Sequence, residues 1–230
     1  MTQHIVKSYS DELAQLSAEV ARMGGLAEAQ VADAVDSVAR RDVALAQAVV
    51  SRDGRLDQLQ GEIERKAVRL IALRQPMARD LRKTVCALKI SLALERTGDL
   101  GKNIAKRALV IAESDPMTPL TRSIERMGRL VAARLRDVLD AYTAGELDRA
   151  MEVWSSDDEV DEHYNALFRE LLTYMMSDPR TIGPCAHLLF IAKNLERIGD
   201  YATNIAEFIH YEITGEDAVA QRPKMSDLEL

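Results

Sequence analysis

The sequence predicts an all-α protein made of two tandem, pseudo-symmetric three-helix bundles, and three observations predict it. LERTGDLGKNIA at 94–105 recurs as LERIGDYATNIA at 195–206, with Leu, Glu, Arg, Gly, Asp, Asn, Ile and Ala matched in place at an offset of 101 positions. Self-similarity at a fixed period is the mark of a duplicated structural unit. Hydrophobic residues make up 47% of the chain and aromatic residues only 4%, a composition that suits helices around an aliphatic core. Apolar residues also recur at helical spacing between a few proline and glycine breaks, and no stretch reads as a strand.

The first helix is expected from about Ile5 to Arg41, because Leu13, Leu16, Val20, Met23, Ala27, Val31, Val35 and Val38 form one apolar stripe. Gly24-Gly25 weakens its middle, which means a bend or the close approach of another backbone. A second helix, about Ala44 to Leu73, carries Val49, Leu56, Ile63, Ala67 and Leu70 inward, with Asp53 on the same stripe. Pro76 then ends that helix and admits a third, which reaches about Glu113 and holds the first copy of the motif. Residues 1–114 thus form the first bundle, and the proline-containing stretch 115–121 is the linker.

The second bundle, 122–215, repeats this order. A fourth helix runs to about Thr143, and its Met127-Gly128 with Leu130 echoes Met23-Gly24 with Leu26 at an offset of 104. A fifth, Glu146 to about Ser177, turns Leu147, Ala150, Trp154, Phe168, Leu171 and Met175 inward, with Asp157 and Asp161 in the same register. Asp178-Pro179 repeats the proline boundary, and the sixth helix continues to about Ile213 with Gly215 as its stop. Residues 216–230 are polar and aperiodic and are expected to be a disordered tail.

The chemistry-bearing residues are paired carboxylates. Glu95, Asp99 and Asn103 fall four residues apart on one helix face, as do Glu196, Asp200 and Asn204, while Asp53/Asp57 and Asp157/Asp161 form further pairs related by 104 positions. Like charges at i and i+4 repel by a few tenths of a kcal/mol, and a carboxylate on an apolar stripe is costly unless it is paired. Two kinds of partner answer that need. One is a salt bridge from Arg96, Arg197, Lys102 or Lys106. The other is a cation held between helices two and three, or five and six, by all-oxygen ligands, a donor set suited to iron, manganese, magnesium or calcium more than to zinc. Gly98 and Gly199, beside the acidic stripe, read as points of close helix packing.

Several function classes are excluded or disfavoured. A net charge of −7 argues against a nucleic-acid binder. Cys86 and Cys185 stand alone in helical patterns and read as reduced core thiols of a cytoplasmic protein. No segment has the ~20 apolar residues that span a bilayer, so any membrane association is expected to be peripheral and through partners. Glu207-Phe208-Ile209-His210 has the Glu-x-x-His spacing of ferritin-like di-iron bundles, but such sites need that motif twice and it occurs once. No phosphate loop, zinc-ligand cluster or nucleophile elbow is present, so no enzyme is expected.

These residues resemble the PhoU family of bacterial phosphate-transport accessory and signalling proteins. The resemblance rests on RQPMARDLR at 74–82, the duplicated LERTGDLGKNIA and LERIGDYATNIAEFIHYEITGE, and SDPRTIG at 177–183, and it spans nearly the whole chain. It implies two three-helix bundles with pseudo-twofold symmetry, a homodimer, and multinuclear iron or zinc at the acidic motifs, with manganese or magnesium as further candidates. Glu95, Asp99, Glu196 and Asp200 are the first residues so implicated, and Asp53, Asp57, Asp157 and Asp161 come next. It further implies a negative regulator of the phosphate-starvation response that modulates phosphate uptake and links the phosphate ABC transporter ATPase subunit to a sensor histidine kinase. A ferritin-like di-iron enzyme and a metal-free helical adaptor are the rival readings.

Overall fold

The apolar stripe of the first helix is buried along its length: Leu13, Leu16, Val20, Met23, Ala27, Val31, Val35 and Val38 all lie in the core. In the computed structural model, the backbone is described for residues 2–114, 117–156 and 158–218, and the side chains of those residues except 2–8 and Thr118. Over these residues the chain is all-α. Helix α1 covers Thr2–Arg40, α2 Val43–Arg52, α3 Gly54–Arg74 and α4 Ala78–Ile111. Helices α5 (Thr118–Ala144), α6 (Leu147–Ser155), α7 (Asp158–Ser177) and α8 (Ile182–Thr214) follow, with a 3₁₀ turn at Pro179–Thr181 before α8.

Each bundle packs one long helix, one interrupted helix and one long motif-bearing helix, with the interrupted helix on the outside. In the first, α1, the α2–α3 pair and α4 lie against one another; in the second, α5, the α6–α7 pair and α8 do the same. The interruptions depart from the single helices expected at 44–73 and 146–177. Helix α2 stops before Asp53, and α6 gives way to a turn at Ser156. The local sequences explain both breaks. Ser51-Arg52-Asp53-Gly54 and Ser155-Ser156-Asp157-Asp158 are rich in weak helix formers: Ser and Asp, whose short side chains compete for backbone hydrogen bonds, and Gly, which loses the most backbone entropy. At the first break Leu56 N–H donates to the Asp53 carbonyl at 2.9 Å, a tightened i→i+3 turn.

Helix ends follow the turn chemistry. Asp42 caps α2, its Oδ1 accepting from Leu45 N–H at 2.9 Å. Gly145 (φ 70) and Gly215 (φ 83) close α5 and α8 in the left-handed region, as their positions in the sequence predict. Between α3 and α4 the chain turns through Gln75 and Ala78, both at positive φ, on either side of Pro76 and Met77. Residues 115–116 of the linker and 219–230 of the tail lie outside the described residues.

The two bundles share one continuous core, joined by antiparallel pairing of equivalent helices. Along α4 and α8, Cys86 Sγ donates to the Phe208 carbonyl at 3.2 Å, and the symmetry-related contact joins Arg107 to His187 at 3.3 Å. Both cysteines are buried free thiols, and burial pushes the Cys86 thiol up to about 11. Phe168 is a correction to the sequence reading: it is 37% exposed rather than inward. The core of that helix is supplied instead by Val160, Leu167 and Leu171, each fully buried Val or Leu contributing about 1.5–3 kcal/mol. No helix among the described residues is long and apolar enough to cross a membrane.

Candidate functional site

In the first bundle, the break before Asp53 sets its carboxylate in the cleft between α1 and α4, 5% exposed. Gln30 on α1 donates Nε2 to Asp53 Oδ1 at 3.0 Å and to the Gly98 carbonyl at 3.0 Å, tying three segments together. The Lys102 ammonium, one turn along α4, donates to Asp53 Oδ2 and to Asp99 Oδ1, the latter at 2.7 Å. Burial alone would lower the Lys102 pKa, but hydrogen bonds and attraction from Asp53 and Asp99 outweigh it and hold the ammonium above its ordinary value. Of the salt-bridge partners weighed for this stripe, Lys102 therefore takes Asp53 and Asp99. Gly98 has the packing role expected of it, since a Cβ there would overlap Leu56 Cδ1.

Glu95 lies half-buried on the same face. Its pKa is raised by burial, opposed by Arg96 and reinforced by the charges of Asp99, Asp57 and Asp53. The charges of Asp53, Asp57 and Asp99 thus all reach Glu95. Arg96 Nε stands 3.4 Å from Glu95 Oε2 without hydrogen-bond geometry, so that buried oxygen has no donor among the described residues. Asp57 and Asn103 are exposed at the rim.

The second bundle keeps the acidic stripe but surrounds it differently. Lys193 donates to Glu196 Oε1 at 2.7 Å and lies over the Tyr164 ring, 5.3 Å from its centroid. Glu196 Oε2 is buried without a hydrogen-bond donor among the described residues, as Glu95 Oε2 is. Asp161, Asp200 and Asn204 are half-buried, and Asp157 lies outside the described residues. Val160 packs on Gly199 as Leu56 packs on Gly98. The Glu-x-x-His pair is engaged elsewhere: Glu207 accepts from Trp154 Nε1 at 3.1 Å, and His210 Nδ1 lies 3.0 Å from the Glu216 carbonyl at the end of α8.

Two residues at the sites were not singled out from the sequence, Gln30 and Arg134. They are equivalent positions, 104 apart, and each is a polar residue within a buried stripe, a signal that was available. Arg134 donates Nη2 to Glu159 at 3.1 Å, while its buried Nη1 has no hydrogen-bond partner among the described residues. As a cation site, the first copy has a poor donor set, because both Asp53 oxygens already accept from protein donors. Glu95 Oε2 and Glu196 Oε2, buried without a donor among the described residues, are the oxygens left for a cation in each copy. Among the described residues no group of three or more Asp, Glu, His or Cys is gathered to hold a metal ion.

Fold and site together define a duplicated helical protein with one acid-lined cleft per bundle and two motif-bearing helices paired at its centre. Known proteins share this plan. The PhoU domain family matches residues 20–108 and 124–209, one copy per bundle. The phosphate-specific transport system accessory protein PhoU homolog of Caulobacter vibrioides is 71% identical over 99% of both chains. The homolog from Rhizobium meliloti is 49% identical over 96% of this chain and 93% of its own. The crystal structure of PhoU from Pseudomonas aeruginosa superposes with a TM-score of 0.88 at 36% identity, covering 90% of this chain and 100% of that one. The chain belongs to the PhoU family. Its relatives are accessory proteins by name, in keeping with the expectation of a non-enzyme.

Proposed function

We propose that this chain is a negative regulator of the phosphate-starvation response and a modulator of phosphate uptake, working as a cytoplasmic adaptor. It bridges the phosphate ABC transporter ATPase subunit and a sensor histidine kinase, acts as a homodimer and reaches the membrane only through these partners. The observation that carries the reading is the family membership over nearly the whole chain, which gives a role in phosphate homeostasis. The long helix faces support an adaptor, since they offer area for docking, and the duplication offers two related surfaces.

In this reading the acidic stripes are working surfaces that dock partners or hold a cation that shapes the docking face. In the second copy Asp161, Glu196, Asp200 and Asn204 are the described oxygen donors for a cation, with iron, zinc, manganese or magnesium as the candidates. A buried carboxylate oxygen without a donor among the described residues, Glu196 Oε2 here and Glu95 Oε2 in the first copy, supports a cation reading. The metal-free adaptor remains the second reading, favoured by the ion pairs of Lys102 and Lys193. The family membership favours either over a ferritin-like enzyme.

The test is a strain lacking this protein, complemented by wild type or by Glu95→Gln/Asp99→Asn/Glu196→Gln/Asp200→Asn, with a phosphate-starvation reporter and pull-down of the transporter ATPase and kinase. Wild type restores repression in high phosphate and captures both partners; the neutralised variant loses both while staying helical. Intact repression and capture in the variant would rule out a working role for the acidic stripes. Failure of the wild type to repress would overturn the regulatory reading itself.

A further inference from the structure

The two copies of the acidic motif differ in the polar residues placed beside them. In the first, Lys102 spans Asp53 and Asp99, and Gln30 takes the remaining Asp53 oxygen. In the second, the equivalent of Lys102 is Thr203, whose hydroxyl donates to the Gly199 carbonyl at 3.2 Å, and the equivalent of Gln30 is Arg134. The second copy's lysine, Lys193, precedes its motif and meets Glu196 instead, where the first copy has Leu92. The duplicated motif thus has its lysine at a different place in each copy.

We propose that Lys102 is a built-in cation that takes the place of a metal ion between Asp53 and Asp99, so that these two carboxylates bind no metal. This rests on the reading of the acidic stripes as cation-holding surfaces. Oxygen-ligated divalent ions sit about 2.0–2.6 Å from their carboxylates. An ion at that distance from Asp53 and Asp99 would lie against the Lys102 ammonium, which already bridges the same two side chains. Two cations cannot share that space, so metal entry requires the lysine to leave. Its stem is confined as well, because the side chain is only 23% exposed and departs a carboxylate that is 8% exposed. A tethered ammonium costs no ion capture, and it leaves the Asp53–Asp99 pair independent of metal supply.

The test uses the full-length protein, stripped of metal and dialysed against manganese(II) and, separately, zinc(II). Bound metal is measured by elemental analysis and helicity by circular dichroism. Four proteins are compared: wild type, Asp53→Asn/Asp99→Asn, Lys102→Thr and Lys102→Arg. Uptake by Asp53→Asn/Asp99→Asn and by Lys102→Arg should equal that of wild type, while Lys102→Thr, which copies the second repeat, should bind about one further equivalent per chain. Loss of metal in Asp53→Asn/Asp99→Asn overturns the proposal, as does unchanged uptake by a folded Lys102→Thr. Should Lys102→Thr fail to fold, the comparison of wild type with Asp53→Asn/Asp99→Asn decides. A wild type that binds no metal at all removes the metal reading of the second cleft, and the gain in Lys102→Thr still tests this one.

Discussion

Leu139 lies over Gly24, so close that a Cβ on the glycine would be 2.6 Å from Leu139 Cδ2. Its counterpart is Val35 over Gly128, and the four residues occupy equivalent positions in the two repeats. The glycines that weaken α1 and α5 as isolated helices are where the two bundles interlock.

That relationship sets an order for glycine substitutions. Gly25 has nothing within 4 Å of an added Cβ, so Gly25→Ala should stabilise by about 0.5–1 kcal/mol through helix propensity alone. Gly128→Ala should cost about 1–3 kcal/mol, because both Val35 methyls lie 2.6 Å from the new carbon and a β-branched side chain has little freedom to move. Gly24→Ala should fall between, since the flexible end of Leu139 can shift. Urea unfolding of the three variants checks the ranking.

Gln30 bridges α1 to Asp53 and to the α4 backbone. Gln30→Ala leaves Asp53 and the Gly98 carbonyl without that donor in a buried setting and should cost about 1–3 kcal/mol. Gln30→Glu should cost more, as it sets a further carboxylate against Asp53. Denaturant midpoints compare the two.

Glu212 is held above the ordinary carboxylate range by burial, opposed by Lys83, Arg79 and Arg82. A raised carboxylate pKa means that the folded state binds the proton more tightly than the unfolded chain. Its contribution is therefore unfavourable at neutral pH and is relieved as pH falls through the folded value. Glu212→Gln should raise the Tm near neutral pH, and its advantage should vanish below about pH 4.3, the unfolded value. Thermal melts across that range test the sign, and an advantage that grew towards acid would contradict it.

Arg41 closes the far end of the first bundle, its Nη2 donating to the Ala112 carbonyl at 2.7 Å and to that of Ser114. Removing it in Arg41→Ala frees the carbonyls beyond α4, at about 1 kcal/mol. Hydrogen exchange should quicken over 108–114 and stay unchanged at the Gly24–Leu139 contact.

How much of this was legible beforehand differs by element. The stripe of α1 and the proline and glycine boundaries could be read directly, because helical period and backbone restriction are local properties of the chain. The interruptions at Asp53 and Ser156 were missed: apolar spacing continues across them, and a single tightened turn leaves that spacing almost unchanged. Phe168 was misplaced because an apolar residue near the edge of a stripe is assigned inward by period alone, whereas the neighbouring helices decide what is covered.

By itself the sequence determined the all-α class, the duplication, and the positions of the paired carboxylates on their helices, since each follows from spacing along one segment. Only the tertiary structure decided that Lys102 rather than Arg96 answers Asp53, and that Gln30 completes the cleft. Those outcomes depend on distances between segments far apart in the chain, where a few ångströms separate an ion pair from an exposed lysine. The repeat preserves its motif in sequence, while the cation beside each copy is chosen by what the neighbouring turns of helix bring within reach.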